Sequence, residues 1–176
     1  MIEIFGCIFI ITLGCIGHFI YEWSNENKIC ALFFAVNEST WEHIKLAIFP
    51  ALMWMLIEIF YYYNNPNYIF ARFASMTFMI IFIPFVFYLI KFLTKKSILI
   101  IDILEYIIAI VLGQYLFKFL INLPPFTKAY YYIGVIGILM IFIMLVTFTF
   151  FPLKNFLFID PITKKYGLEA THKHHK

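Results

Sequence analysis

Long apolar stretches separated by short polar breaks dominate the chain. They run from Met1 to Ile20, about Lys45 to Tyr63, about Tyr68 to Leu93, about Ile98 to Ile121 and about Tyr130 to Phe151. Each approaches or exceeds the ~20 residues that a helix needs to cross the hydrocarbon core. Apolar residues cover every face of these runs, which argues against a transmembrane barrel, whose strands alternate over ~10 residues. The breaks read as turns. Asn64 to Asn67 carries Pro66 among turn-forming asparagines. Thr94 to Ser97 is charged, and Ser97 is placed to cap the helix that follows. Asn122 to Lys128 contains a Pro-Pro pair.

Composition sharpens this reading. The 176 residues are 64% hydrophobic and 13% charged, against roughly 45–50% and 25% in a soluble domain. That excludes a soluble enzyme, a disordered tail and a disulfide scaffold, and the length leaves no room for two large domains. The prediction is an all-α membrane protein. A bundle of five transmembrane helices occupies residues 1–152, and a basic tail occupies 153–176. The first span is read as retained, because Glu3 is the only charged side chain before its core and a signal peptide needs a basic start. Cys7, Cys15 and Cys30 show neither disulfide nor zinc spacing.

Charge supplies the orientation. Of the thirteen basic residues, only Arg72, Lys118 and Lys128 fall on the side of the second and fourth connections. The positive-inside rule then puts the N-terminus outside and the C-terminus in the cytoplasm of a multi-pass cell-membrane protein. The formal charge of +3 reads as topology plus attraction to anionic lipid head groups at the cytoplasmic face, not as nucleic-acid binding.

Ionisable residues at membrane depth are costly and point to function by default. His18 and Glu22 share a face near the end of the first span, and Cys7, Gly14 and His18 form a stripe suited to close packing. His18 could be a metal ligand, a proton carrier or simply interhelical glue. Val36 to Leu46, VNESTWEHIKL, is the densest polar cluster. Glu38, Glu42 and His43 could bind a divalent cation or run acid–base chemistry. Ser39 to Glu42 also reads as a capping box opening the second span, with Trp41 as an interfacial anchor. The order and spacing are not those of HExxH.

Asp102 suits the first turn of the fourth helix, whereas Glu105 lies deeper and should be paired or protonated. His18, Glu22, Glu38, Glu42, His43 and Glu105 thus fall at one depth on three helices and form the candidate catalytic set; at least three of these and Asp102 are expected in one pocket, with the Asp160 turn near its mouth. On the other half, Glu58 pairs with Arg72 or Lys118. Pro50 and Pro84 interrupt their helices. The tail histidines His172, His174 and His175 offer weak metal affinity on an otherwise lipid-binding basic segment.

HFIYEWSNEN, VNESTWEHIKL and the late DPITKKYG together resemble an uncharacterised family of small bacterial polytopic membrane proteins, catalogued only as a domain of unknown function. The family typically has Gly where this chain has Lys165. The resemblance implies that His18, Tyr21, Glu22, Trp23, Asn37, Glu38, Trp41, Glu42, His43, Asp160 and Tyr166 occupy its motif positions. It implies no activity.

Three functions fit. The first is a membrane enzyme with a cytoplasm-facing His/Glu site, with or without a divalent metal, acting on a lipid or lipid-linked substrate. The second is a small transporter or the substrate-binding subunit of one, although five spans without an internal repeat do not divide into halves. The third is a non-catalytic membrane partner or assembly protein.

Overall fold

The computed structural model describes residues 2–170. The tail residues His172, Lys173, His174, His175 and Lys176, and the readings placed on them, lie outside the described residues. Six α-helices follow in order: α1 Ile2–Trp23, α2 Lys28–Phe33, α3 Thr40–Tyr62, α4 Tyr68–Thr94, α5 Leu99–Ile121 and α6 Lys128–Phe150, then a 3-10 turn at Gly167–Ala170. No strand occurs among the described residues. All but α2 are long and apolar enough to cross a membrane. The protein is an all-helical, multi-pass membrane protein.

Helices α1, α3, α4 and α5 close a ring, each touching the next, and α6 docks on α4 from outside. The central helix α3 is the most enclosed of the spans, and its Ala47, Ile48 and Ala51 are fully buried. Lipid-facing positions stay apolar and exposed, as at Ile136, Met140 and Ile143 on α6.

The small-residue stripe on α1 has a steric reason. A Cβ on Gly14 would run into the Tyr106 hydroxyl and lie 2.6 Å from the Leu46 carbonyl oxygen. Only glycine lets α1 approach α3 and α5 this closely.

Three local readings are corrected. The helix of the second span begins at Thr40, where the Ser39–Glu42 pattern opens it, and not at about Lys45, where the apolar run starts; Lys45 is wholly buried within it. The fourth long helix is capped at Ile98, not Ser97; Ser97 instead donates a short hydrogen bond to Asp102. Ser39 does occupy the cap position of α3, but its side chain makes no capping bond. Its backbone N–H goes to Asn37 Oδ1 at 2.9 Å, and Glu42 does not reach back to it. The capping box is therefore absent.

The segment expected as a basic tail is, over 153–170, laid across the end of the bundle where α1, α4 and α6 finish and α3 and α5 begin. Phe158 is buried and stacks on Trp41 with ring centroids 4.9 Å apart. The Trp41 backbone N–H donates to the Leu157 carbonyl at 2.9 Å. Trp41 is thus a core residue (5% exposed) rather than an exposed interfacial anchor.

Candidate metal centre

The site is built by the irregular connection between α1 and α3. Helix α1 ends at Trp23, and Asn25 and Glu26 take positive φ values of 54° and 60°, which turn the chain back sharply. Asn27 caps the short α2 by accepting the Ile29 N–H at 2.8 Å. From Phe34 the chain runs irregularly to Ser39, and tail contacts fix its course. The Glu38 N–H donates to Asp160 Oδ1 at 3.0 Å, and Asn37 Nδ2 donates to the Gly167 carbonyl at 2.9 Å.

Held this way, the Glu38 carboxylate enters the gap between α1 and α3. Its Oε2 lies 3.3 Å from His18 Nε2 and 3.6 Å from His43 Nε2. The imidazole centroids are 5.8 Å apart. Each side chain is about one third exposed, so the cluster is reachable from outside the bundle. One donor atom from each residue can be chosen so that all three lie within 4.8 Å of one another.

The two carboxylate–imidazole separations are near the spacing that a small divalent cation needs. With metal–ligand distances of ~2.0–2.1 Å, neighbouring donors around tetrahedral zinc stand about 3.3 Å apart. Two imidazoles and a carboxylate are borderline-hard ligands fit for zinc and its neighbours. The electrostatics agree. Hydrogen bonding to His18, and then to His43, holds the Glu38 carboxyl far below the usual carboxylate range, against the opposing effect of burial. Glu38 therefore stays an anion.

The other candidate residues lie elsewhere. Glu42 Oε2 pairs with Lys45 Nζ at 2.6 Å and accepts the Val36 N–H at 3.1 Å. Lys45 Nζ also donates to the Ala31 carbonyl at 2.8 Å and Thr149 Oγ1 at 3.2 Å. Glu42 and Lys45 thus tie α2, α3 and α6 beneath the site. Glu22 is exposed one turn beyond His18 and outside the three-residue group. Glu105 is 5% exposed, and neither of its carboxylate oxygens has a hydrogen-bond partner.

In the opposite half, Arg72 Nη2 donates to both Glu58 oxygens, to Oε1 at 2.6 Å, and its guanidinium lies 3.8 Å above the Phe117 ring. Gln114 Oε1 accepts from Nη1 at 3.4 Å and from Nη2 at 3.3 Å. Lys118 is exposed and takes no part in that pair.

The supporting roles of Asn37, Asp160 and Gly167 are contacts that spacing does not reveal. The available signal was that the three polar segments occur together.

No curated protein and no solved structure matches the chain. A family model does, over residues 2–168, and that span takes in all three segments that meet at His18, Glu38 and His43. The chain belongs to this family, the family of unknown function DUF6512.

Proposed function

We propose that this protein is a metal-dependent membrane enzyme. His18, Glu38 and His43 hold a divalent cation, zinc by ligand type, and the substrate is a lipid or a lipid-linked molecule. The observation that carries this reading is the two-imidazole, one-carboxylate group within 4.8 Å at the end of the membrane-spanning helices. A metal held by three protein ligands keeps a position for water or substrate, as hydrolytic sites do. The chain's own residues set the geometry. Asp160 positions Glu38 through its backbone, and Glu38 in turn bridges the two imidazoles. A group reaching this site from the bilayer arrives at head-group depth, which favours a lipid substrate over a soluble one. The lysine bias supports a site that faces the cytoplasm.

Elemental analysis of protein purified in mild detergent, without a polyhistidine tag, tests the metal. One equivalent of zinc, manganese or iron is expected, and its loss in Glu38→Gln. Incubating metal-loaded protein with a polar lipid extract, and following lipid species by mass spectrometry, tests the enzyme. Folded protein that takes up no metal would overturn the reading.

A transport role has one specific observation in its favour, the unpartnered Glu105 within α5. Carbodiimide labelling of Glu105 that is slowed by added Na+ would favour it.

A further inference from the structure

We propose that a basic pocket at the end of α6, separate from the His18/Glu38/His43 group, binds the phosphate of an anionic phospholipid. The pocket does not depend on a metal being bound. It is a cavity of about 530 Å³ whose lining includes Lys154, Lys164, Lys165 and Glu169, with Phe150 and Pro152.

The fold of the tail creates it. Pro152 follows the last turn of α6, where a helix cannot easily continue. The chain then crosses to Trp41 and returns through the Asp160 turn. There the Asp160 N–H donates to the Lys165 carbonyl at 2.9 Å, and the Lys164 N–H donates to the Asp160 carbonyl at 3.0 Å. Lys164 adopts φ +60°, which brings consecutive lysines round the turn. Gly167, at φ +52°, then lets the backbone pass against Pro152; a Cβ there would lie 2.9 Å from Pro152 Cγ. Residues 150–154 and 164–169 so become the walls of one concavity.

Its charge is unbalanced. Three lysines face one carboxylate, and none of the three has an ion-pair partner among the described residues. Lysine ammonium groups serve as point charges for phosphate.

The surroundings select a lipid as the carrier. Phe151, Phe156 and Ile162, all beside the lysines in sequence, are 75%, 63% and 66% exposed. Apolar side chains interleaved with lysines at the end of a spanning helix belong in the interfacial layer, with the rings toward the acyl chains and the ammonium groups among head groups.

The full chain, placed in phosphatidylcholine vesicles with or without phosphatidylglycerol, is extracted gently, and the retained lipid is read by native mass spectrometry. Phosphatidylglycerol should be retained in preference to phosphatidylcholine. Lys154→Gln/Lys164→Gln/Lys165→Gln should reduce that retention by about tenfold or more, because it removes all three ammonium groups that line the cavity. The matched control Lys91→Gln/Lys95→Gln/Lys96→Gln removes equal charge from the same end of the bundle and should keep the retention. Helicity by circular dichroism confirms that both variants are folded. Equal loss in both variants would show general surface attraction and overturn the pocket, as would no preference for phosphatidylglycerol in the wild type. Inorganic phosphate added alone is the second arm. If it raises thermal stability through the same lysines while phosphatidylglycerol gives no advantage, the lipid is overturned as the source.

Discussion

The backbone amide of Glu38 donates to the Asp160 carboxylate at 3.0 Å across 122 residues of sequence. The same carboxylate's other oxygen accepts the Thr163 N–H at 2.5 Å and the Thr163 hydroxyl at 2.7 Å. Asp160 is wholly buried, so one side chain both ties its own turn and sets the loop that carries the candidate ligand. Asp160→Ala should cost about 1–3 kcal/mol of stability by leaving buried donors unsatisfied. It should also weaken zinc binding by roughly 10–100-fold, as loss of an outer-layer contact does. Thermal unfolding and zinc titration read the two effects separately. Unchanged zinc affinity would disconnect Asp160 from the site.

Glu38→Gln should remove the metal while leaving the fold, because the side chain is one third exposed and its backbone contacts persist. Acidification should likewise release metal, since ligation and protonation compete. A separate pH effect belongs to the metal-free protein. The Glu38 carboxyl is lowered in the folded state by His18 and His43. Its contribution is therefore fully present above the ordinary carboxylate range and is lost as pH falls through the lowered folded value. The stability gap between wild type and Glu38→Gln should persist at neutral pH and close only in strong acid. A gap that closed near pH 6 would contradict this assignment.

Lys45 and Glu42 are 0% and 2% exposed, and their pair closes at 2.6 Å. Breaking such a pair leaves one charge buried without its counter-ion. Lys45→Met alone should cost about 3–5 kcal/mol, and Glu42→Leu combined with Lys45→Met should recover part of that loss. A double-mutant cycle in detergent measures the coupling. A near-zero coupling energy would mean that water already screens the pair.

Both Glu105 oxygens are buried, and only the Phe87 backbone comes near the carboxyl as a hydrogen-bonding group, outside good geometry. Glu105→Leu should raise stability, by about 1–3 kcal/mol, because it removes an unsatisfied polar group from the bundle. Chemical denaturation of the two proteins in the same detergent decides the sign, and a destabilised variant would reveal a partner for the carboxyl.

The lysine distribution predicts the orientation in the membrane. Lys173→Cys, in a chain with Cys7, Cys15 and Cys30 replaced, should resist an impermeant thiol reagent in intact cells and react after lysis. Labelling of intact cells would invert the assigned orientation.

The spans, their turns and the membrane class were legible in the sequence because a bilayer imposes a length and a polarity on each crossing. The same logic located the polar residues at one end of the bundle. It could not choose among them. Glu38 and Glu42 look alike in VNESTWEHIKL, yet Glu38 meets two imidazoles and Glu42 meets a lysine. That choice depends on where Asn37 and Glu38 are held, by Gly167 and Asp160, from the far end of the chain. Local spacing carries no record of such contacts.

Lys45 shows the same limit from another side. The apolar run starts at about Lys45, but Glu42, Thr149 and the Ala31 carbonyl satisfy that lysine inside the bundle, and α3 begins at Thr40. Ser39 and Glu42 have the spacing of a capping box, but other nearby groups claim both first: Asn37 takes the Ser39 N–H, and Val36 and Lys45 take the Glu42 carboxylate. Hydrophobic length is a property of consecutive residues, and the sequence by itself determined it. Which polar group satisfies which is decided by residues far apart in sequence, because a buried donor or acceptor takes whatever partner packing brings within about 3 Å. Only the tertiary structure placed His18, Glu38 and His43 together.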